Sequence, residues 1–412
     1  MATNAPADTA GRAPGARMGA FAVPGFTRLW VMGWIWNSTR WMATFLGSYI
    51  VNDLTGSPLL VQLIGAAMFA PMFFGGPFAG AVADRFDRRR TVLRQLVVLL
   101  PLASLLGLLT ISGRLDAWML YPFVLAVGIG GVVDWTSRRA LLYDLVGDER
   151  ASNALALEMV SMSGGTMLGA VLGGAVIRFL GEGQAFLVMA SMYGVCWLLM
   201  SGVPSVPSKR IAAEGSVISD TIEGLRVITR SQALVGIFAV TMVMNFFYFS
   251  FMPLVPVFAD DLGVDALLAG ILASGNGLGM FLGSLLWAAF KIERRGLLYV
   301  AGSFAGMVFL VCFAAIPWYP SALLFVILAG MAASAFGTMQ GVLTMAASPP
   351  EMRGRAMGAL GMAIGTLPFG MVVLGLLAES VGPAIAVVAS VAVGFVVLGA
   401  FVARFPAVAR LR

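Results

Sequence analysis

The sequence predicts an all-α membrane protein, with twelve transmembrane helices in two six-helix bundles and both termini on the inner side. Three observations carry this. Hydrophobic residues make up 59% of the 412 and charged residues only 11%, against about 45–50% and about 25% for a soluble chain. The apolar residues fall in long runs. A helix needs about 20 of them to cross a bilayer, so twelve crossings would take about 240 residues, close to the apolar share. The basic residues stand in the connections between runs, where they set orientation.

Taken in order, residues 1–28 are Ala/Gly/Pro-rich with Arg12, Arg17 and Arg28. They lack the apolar core of a signal peptide and read as a disordered cytoplasmic tail. Apolar segments follow near 29–51, 59–82, 92–112, 117–137, 154–178, 184–202, 232–257, 266–290, 297–316, 321–346, 355–378 and 383–404. The long connection 203–231 divides them into an N-terminal bundle, 29–202, and a C-terminal bundle, 232–404. Residues 405–412 form a second cytoplasmic tail. With the amino terminus inside, all basic residues but Arg40, Arg114 and Arg178 lie inside, as the positive-inside rule requires. Within the connection, Ile218, Ile222 and Leu225 recur at helical spacing among charged residues, the pattern of an amphipathic helix along the inner membrane face.

What is missing narrows the function. There is no His, which excludes Ser-His-Asp triads, His proton relays and the usual zinc sites. Cys196 and Cys312 both sit in apolar runs and read as buried free thiols. No dinucleotide, Walker or metal-ligand spacing appears, so no cofactor, metal or ATP drive is expected. The net charge of +6 is spread over short loops and does not suggest nucleic acid. The Asn37-Ser38-Thr39 sequon is buried in span 1 and is set aside.

Between spans 2 and 3 stands Gly80-Ala-Val-Ala-Asp84-Arg85-Phe86-Asp87-Arg88-Arg89-Arg90. This resembles the G-x-x-x-D-R-x-G-R-R signature of the major facilitator superfamily, with Asp87 in the usual Gly position. With twelve spans and a long central loop, the resemblance covers the whole chain. It implies a conformational latch. Asp84 would face the positive amino terminus of span 11 near Arg353, and the cluster Arg85, Arg88 and Arg89 would pair with an acid on span 4, for which Asp134 is placed. Gly283 to Gly296 is a degenerate second copy that keeps the initial Gly and an Arg pair and lacks the Asp.

Span 5 carries Gly165-x-x-x-Gly169-Ala170-x-x-Gly173-Gly174. It is similar to the antiporter pattern of the superfamily, with Ala170 in place of Pro. Small residues four apart also serve close helix packing without any transport role. Phe26-Thr-Arg28-Leu29-Trp30, Leu54-Thr55-Gly56-Ser57-Pro58 and Glu223-Gly224-Leu225-Arg226 look like the bacterial exporter branch, which includes enterobactin-type siderophore exporters, macrolide efflux proteins and lysophospholipid flippases.

Polar residues deep in apolar spans are costly and point to function. Arg40 is about eleven residues into span 1, near mid-membrane at about 1.5 Å per residue. With Asn37, Trp41, Asn245, Tyr248, Asn276 and Gln340 it forms the expected substrate site, on spans that line the cavity in the superfamily. The competing reading for each Asn and Gln is an interhelical hydrogen bond. Glu158 in span 5 is the expected proton carrier, because Asp134 is the other acid within the first bundle and is assigned to the latch. The expectation is a monomeric, proton-coupled exporter of a small amphipathic drug, siderophore or lipid-like metabolite. It would work by alternating access in the bacterial inner membrane as a multi-pass protein and not as an enzyme. The alternatives are a proton symporter importing a small organic anion, a non-cycling membrane scaffold or sensor, and a membrane enzyme.

Overall fold

The computed structural model describes residues 19–85, 87–204, 231–290, 292–349 and 352–411, with the backbone alone over 74–85. The expected amphipathic helix at 216–230 and the side chains of Gly80, Asp84 and Arg85 fall outside the described residues. Ten helices are long and apolar enough to cross a membrane among the described residues. These are α3 Arg88–Ile111, α4 Ala117–Val146, α5 Asp148–Leu180, α6 Glu182–Ser201, α7 Gln232–Asp261, α8 Ala266–Ala289, α9 Arg295–Ala315, α10 Tyr319–Ala347, α11 Arg353–Val381 and α12 Pro383–Arg404. Two more long helices, α1 Phe26–Thr55 and α2 Pro58–Arg85, precede them.

Much of the apolar surface faces outward. The α12 window has a mean hydropathy of 2.7 yet is only 28% buried within the protein, and Ile385, Val393 and Val396 are exposed on it. Water would leave such a face uncovered; hydrocarbon covers it.

The chain ends are more ordered than their composition suggests. Helix α1 already starts at Phe26, and Ala20 is fully buried, with its amide donating to Asn153 Oδ1 at 2.9 Å. Residues 19–28 are therefore part of the fold. Residues 405–411 likewise do not trail away. A short helix, α13 Ala407–Arg410, buries Val408, and Gly296 donates to the Leu411 carbonyl at 3.0 Å.

Helix α5 joins everything. Gly165 and Gly169 let it lie on the α1 backbone, where an added Cβ would meet Ser38 N at 2.9 Å and Ser38 O at 2.5 Å. On the other face, Gly174 meets α8, and a Cβ there would lie 2.2 Å from the Ala266 carbonyl. The small-residue pattern of span 5 thus serves two helix contacts, and the second lies between the halves. A matching seam runs between α2 and α11, where a Cβ on Gly375 would fall 2.9 Å from Gln62 Cβ.

Polar contacts fasten the halves toward the face opposite the termini. Asn52 donates to Asp260 at 3.1 Å, Arg178 to Asp265 at 2.9 Å, and Ser57 to Glu379 at 2.8 Å. Deeper, buried Gln62 donates to the Ser250 carbonyl at 2.9 Å.

Candidate functional site

Helix α4 is not regular. It passes through a π turn over Asp134–Arg138, a distortion that often marks functional sites. The turn points both Asp134 and Arg138 inward. Arg138 is only 2% exposed. Its Nε donates to Asp134 Oδ1 at 2.5 Å, and its Nη2 to Asp134 Oδ2 at 3.0 Å. The same guanidinium reaches α5, where Nη1 donates to Glu158 Oε2 at 2.8 Å and Nη2 also binds Glu158 Oε1. Glu158 is 1% exposed. One planar cation thus holds two buried carboxylates with its fork, a geometry lysine could not reproduce.

Space for this set comes from glycine. A Cβ on Gly33 would fall 2.7 Å from Arg138 Nη1 and 3.2 Å from Ser161 Oγ. That hydroxyl is buried without a hydrogen-bond partner among the described residues.

Arg40 adds a fourth charge. Gly131, three residues before Asp134 on α4, makes room for it, since a Cβ there would sit 3.1 Å from Arg40 Nε. The guanidinium lies 5.5 Å from the Phe69 ring centre and within the electrostatic reach of Asp134. Its Nε is buried without a hydrogen-bond partner among the described residues. Two carboxylates and two guanidinia make a formally neutral set inside the N-terminal half.

Several sequence expectations change here. Among the described residues, Asp134 finds its partner in neither Arg88 nor Arg89. It is bound by Arg138, four residues on and one helical turn away, while Arg88 pairs with Asp144 and Arg89 with the carbonyls of Met200 and Ser201. Glu158 binds Arg138, not Arg40. Arg353 donates to the Met345 carbonyl at 3.2 Å, at an exposed position.

The expected substrate residues separate into groups. A narrow cavity between the halves is lined by Trp41, Thr44, Phe45, Ser48, Thr166 and Met252 among others. Trp41 also approaches Phe69, 6.2 Å between ring centres. Arg40 does not line this cavity and lies instead beside α4. Asn37 is buried against α5 and donates to the Gly33 carbonyl at 2.8 Å. In the other half, Tyr248 and Asn276 are buried and meet, with Asn276 Nδ2 donating to the Tyr248 hydroxyl at 2.8 Å. Asn245 donates to the Thr241 carbonyl at 2.9 Å. These bonds serve the Tyr248 hydroxyl and the amide nitrogens of Asn245 and Asn276 in this conformation, while Asn276 Oδ1 is buried with no hydrogen-bond partner among the described residues. Gln340 is half-buried and its Oε1 has no partner among the described residues.

The expected span 4 ends at residue 137, which places Arg138 in a loop, whereas α4 runs on to Val146. The signal was available in the Asp134-x-x-x-Arg138 spacing, which puts acid and base on one helical face. Glu379 and Asp260 gave no such signal, since their partners lie in the other half.

The family described as Transmembrane secretion effector matches residues 16–410. Macrolide efflux protein A of Streptococcus pyogenes is 21% identical over 347 residues, 81% of this chain and 84% of that one. The enterobactin exporter EntS of Shigella flexneri is 24% identical over 308 residues, 73% and 70% of the two chains. A solved bacterial homologue of the human lysosomal transporter Spinster, in an inward-facing and unoccupied conformation, shares the fold. Its TM-score is 0.75 over 97% of this chain and 98% of that one, at 16% identity. A buried charge set inside a helical bundle that is apolar on its outer surface suits transport rather than catalysis, and the chain belongs to the transmembrane secretion effector family, as a major facilitator transporter of the bacterial exporter branch.

Proposed function

We propose that this protein is a proton-coupled exporter of small amphipathic molecules, a monomer that crosses the inner membrane twelve times with both termini in the cytoplasm. The efflux and export named for its relatives support the direction. The single observation that carries the coupling is the buried Asp134–Arg138–Glu158 set. A carboxylate that releases Arg138 becomes an uncompensated buried charge, and protonation relieves it. Proton uptake and rearrangement of α4 against α5 are therefore linked. Glu158 is the proton carrier of this reading, because it reaches Arg138 from the neighbouring helix α5 and separates from it when α4 and α5 move, whereas Asp134 rides on the same helix as Arg138.

Cargo binds between the halves beside Trp41 and Phe69, where aromatic faces and the adaptable Met252 suit varied apolar surfaces. Arg40, with its unpartnered Nε, selects for a negative group on the cargo. The same observation favours the second reading, proton-coupled import of a small organic anion. At the terminus face, Asp84 engages the start of α11 and, with the Arg cluster, latches the closed state of that side.

Reconstituted vesicles test both readings. A proton gradient should drive a fluorescent amphiphile out against its gradient in the wild type and not in Glu158→Gln. Uptake of an anion with the proton gradient, and no efflux, would establish the import reading instead.

A further inference from the structure

Helix α2 begins at Pro58, so its first turn carries backbone amides with no partner inside the helix. Ser57 stands just before it, and its hydroxyl accepts from the Leu60 amide at 3.3 Å, an ordinary capping contact. A second cap comes from the other half of the molecule. Glu379, near the end of α11, accepts the Ser57 hydroxyl at 2.8 Å and the Leu59 amide at 3.1 Å with the same oxygen, Oε2. A carboxylate at a helix amino terminus is also favoured by the helix dipole. Helix α11 thus ends by capping the start of α2, across the seam where Gly375 lets the two backbones approach.

We propose that Glu379 is the positioning residue that biases the transporter toward the state closed on the face opposite the termini. This rests on the reading that the two halves move against each other. The contact can exist only while α2 and α11 are together at that face, so it weights one of two conformations. Asn52–Asp260 and Arg178–Asp265 close the same face, but in neither does a carboxylate of one half accept a first-turn backbone amide of the other, as Glu379 does from Leu59. Glu379 is exposed and belongs neither to the Arg138 set nor to the lining of the cavity between the halves.

The test is the accessibility of Ser48, buried in the lining of the cavity between the halves. Ser48→Cys is introduced with Cys196→Ala and Cys312→Ala, and whole cells are treated with a membrane-impermeant maleimide. Leu54→Cys, exposed at the end of α1, reports separately whether that face is external. If it labels only in inside-out vesicles, the orientation reading has failed and the same comparison is made there. Neither cargo nor a proton gradient is needed, so failure of the export reading leaves the result intact. Glu379→Ala should raise the Ser48→Cys labelling rate about two- to fivefold, the population shift expected for an exposed helix-terminus charge. Glu379→Gln, which keeps an acceptor and the side-chain volume, should give a smaller rise. Ser380→Ala should give none, because the Ser380 hydroxyl bonds only its own helix at Leu377. Unchanged labelling in both Glu379 variants, or an equal rise in Ser380→Ala, would overturn the proposal.

Discussion

Arg138 and Glu158 stand twenty residues apart in sequence and are joined through both terminal nitrogens of the guanidinium, at positions 2% and 1% exposed. Because Asp134 takes the remaining edge of the same guanidinium, α4 and α5 are tied by one cation serving two anions.

Removing that cation should destabilise more than removing either anion. Arg138→Met leaves two buried carboxylates facing each other, at a cost of about 3–5 kcal/mol. Arg138→Lys should be intermediate, since an ammonium cannot hold both carboxylates side-on. Thermal unfolding in detergent reads this, and adding Glu158→Gln to Arg138→Met should recover part of the loss. Equal stability of Arg138→Met and wild type would refute the pairing.

Gly33→Ala should act on the same set without changing any charge. The new methyl would meet Arg138 Nη1, which is pinned and cannot swing aside freely. Transport should fall while expression holds, whereas Gly354→Ala, in open space, should be neutral. A wild-type transport rate in Gly33→Ala would show that the guanidinium has room to move.

The seam between α5 and α8 should tolerate no larger residue. Gly174→Leu drives a side chain into the Ala266 carbonyl, and overpacking of this kind costs about 1–3 kcal/mol. Its measurable sign is a lower melting temperature together with faster labelling of Ser48→Cys from the face opposite the termini. No change in either would contradict the close approach.

Asp265 gives a pH signature outside the membrane spans. The Leu268 amide, and then Arg178, hold its carboxyl below the ordinary range. A lowered folded-state pKa contributes stability above the unfolded value, about 3.9, and that contribution is lost as pH falls through the folded value. The melting-temperature gap between wild type and Asp265→Asn should therefore be present near neutral pH and close in acid. A gap independent of pH would remove the assignment.

The helices were legible because apolar runs of bilayer length have few other solutions. The faces of those helices were not. Asn245 and Tyr248 lie on a π turn of α7, Met244–Tyr248, which shifts the register by a residue, so spacing alone could not tell cavity from bundle interior. Arg138 looked like a loop cation because a buried, doubly paired arginine and a positive-inside arginine are the same letter. Glu379 finds its partners 320 residues and more away, a pairing that no local pattern encodes. Ala20 is buried and tied to Asn153, 133 residues on, and an Ala/Gly/Pro-rich segment gives no sign of that.

Arg40 should discriminate by charge. Arg40→Ala should lower export of anionic amphiphiles more than that of neutral ones of similar size, and Arg40→Lys should restore part of the difference. Competition between paired fluorescent cargos measures the ratio. An equal loss for both classes would make Arg40 a structural partner of Asp134 alone.

Proton movement during export is the most direct measurement. In vesicles loaded with a pH-sensitive dye, addition of cargo to the wild type should drive a proton flux opposite in direction to the cargo. Glu158→Gln should bind cargo and give no proton flux, and Asp134→Asn should retain some. Cargo-driven proton flux of wild-type size in Glu158→Gln would contradict the assignment of the Arg138-held carboxylate as the coupling group.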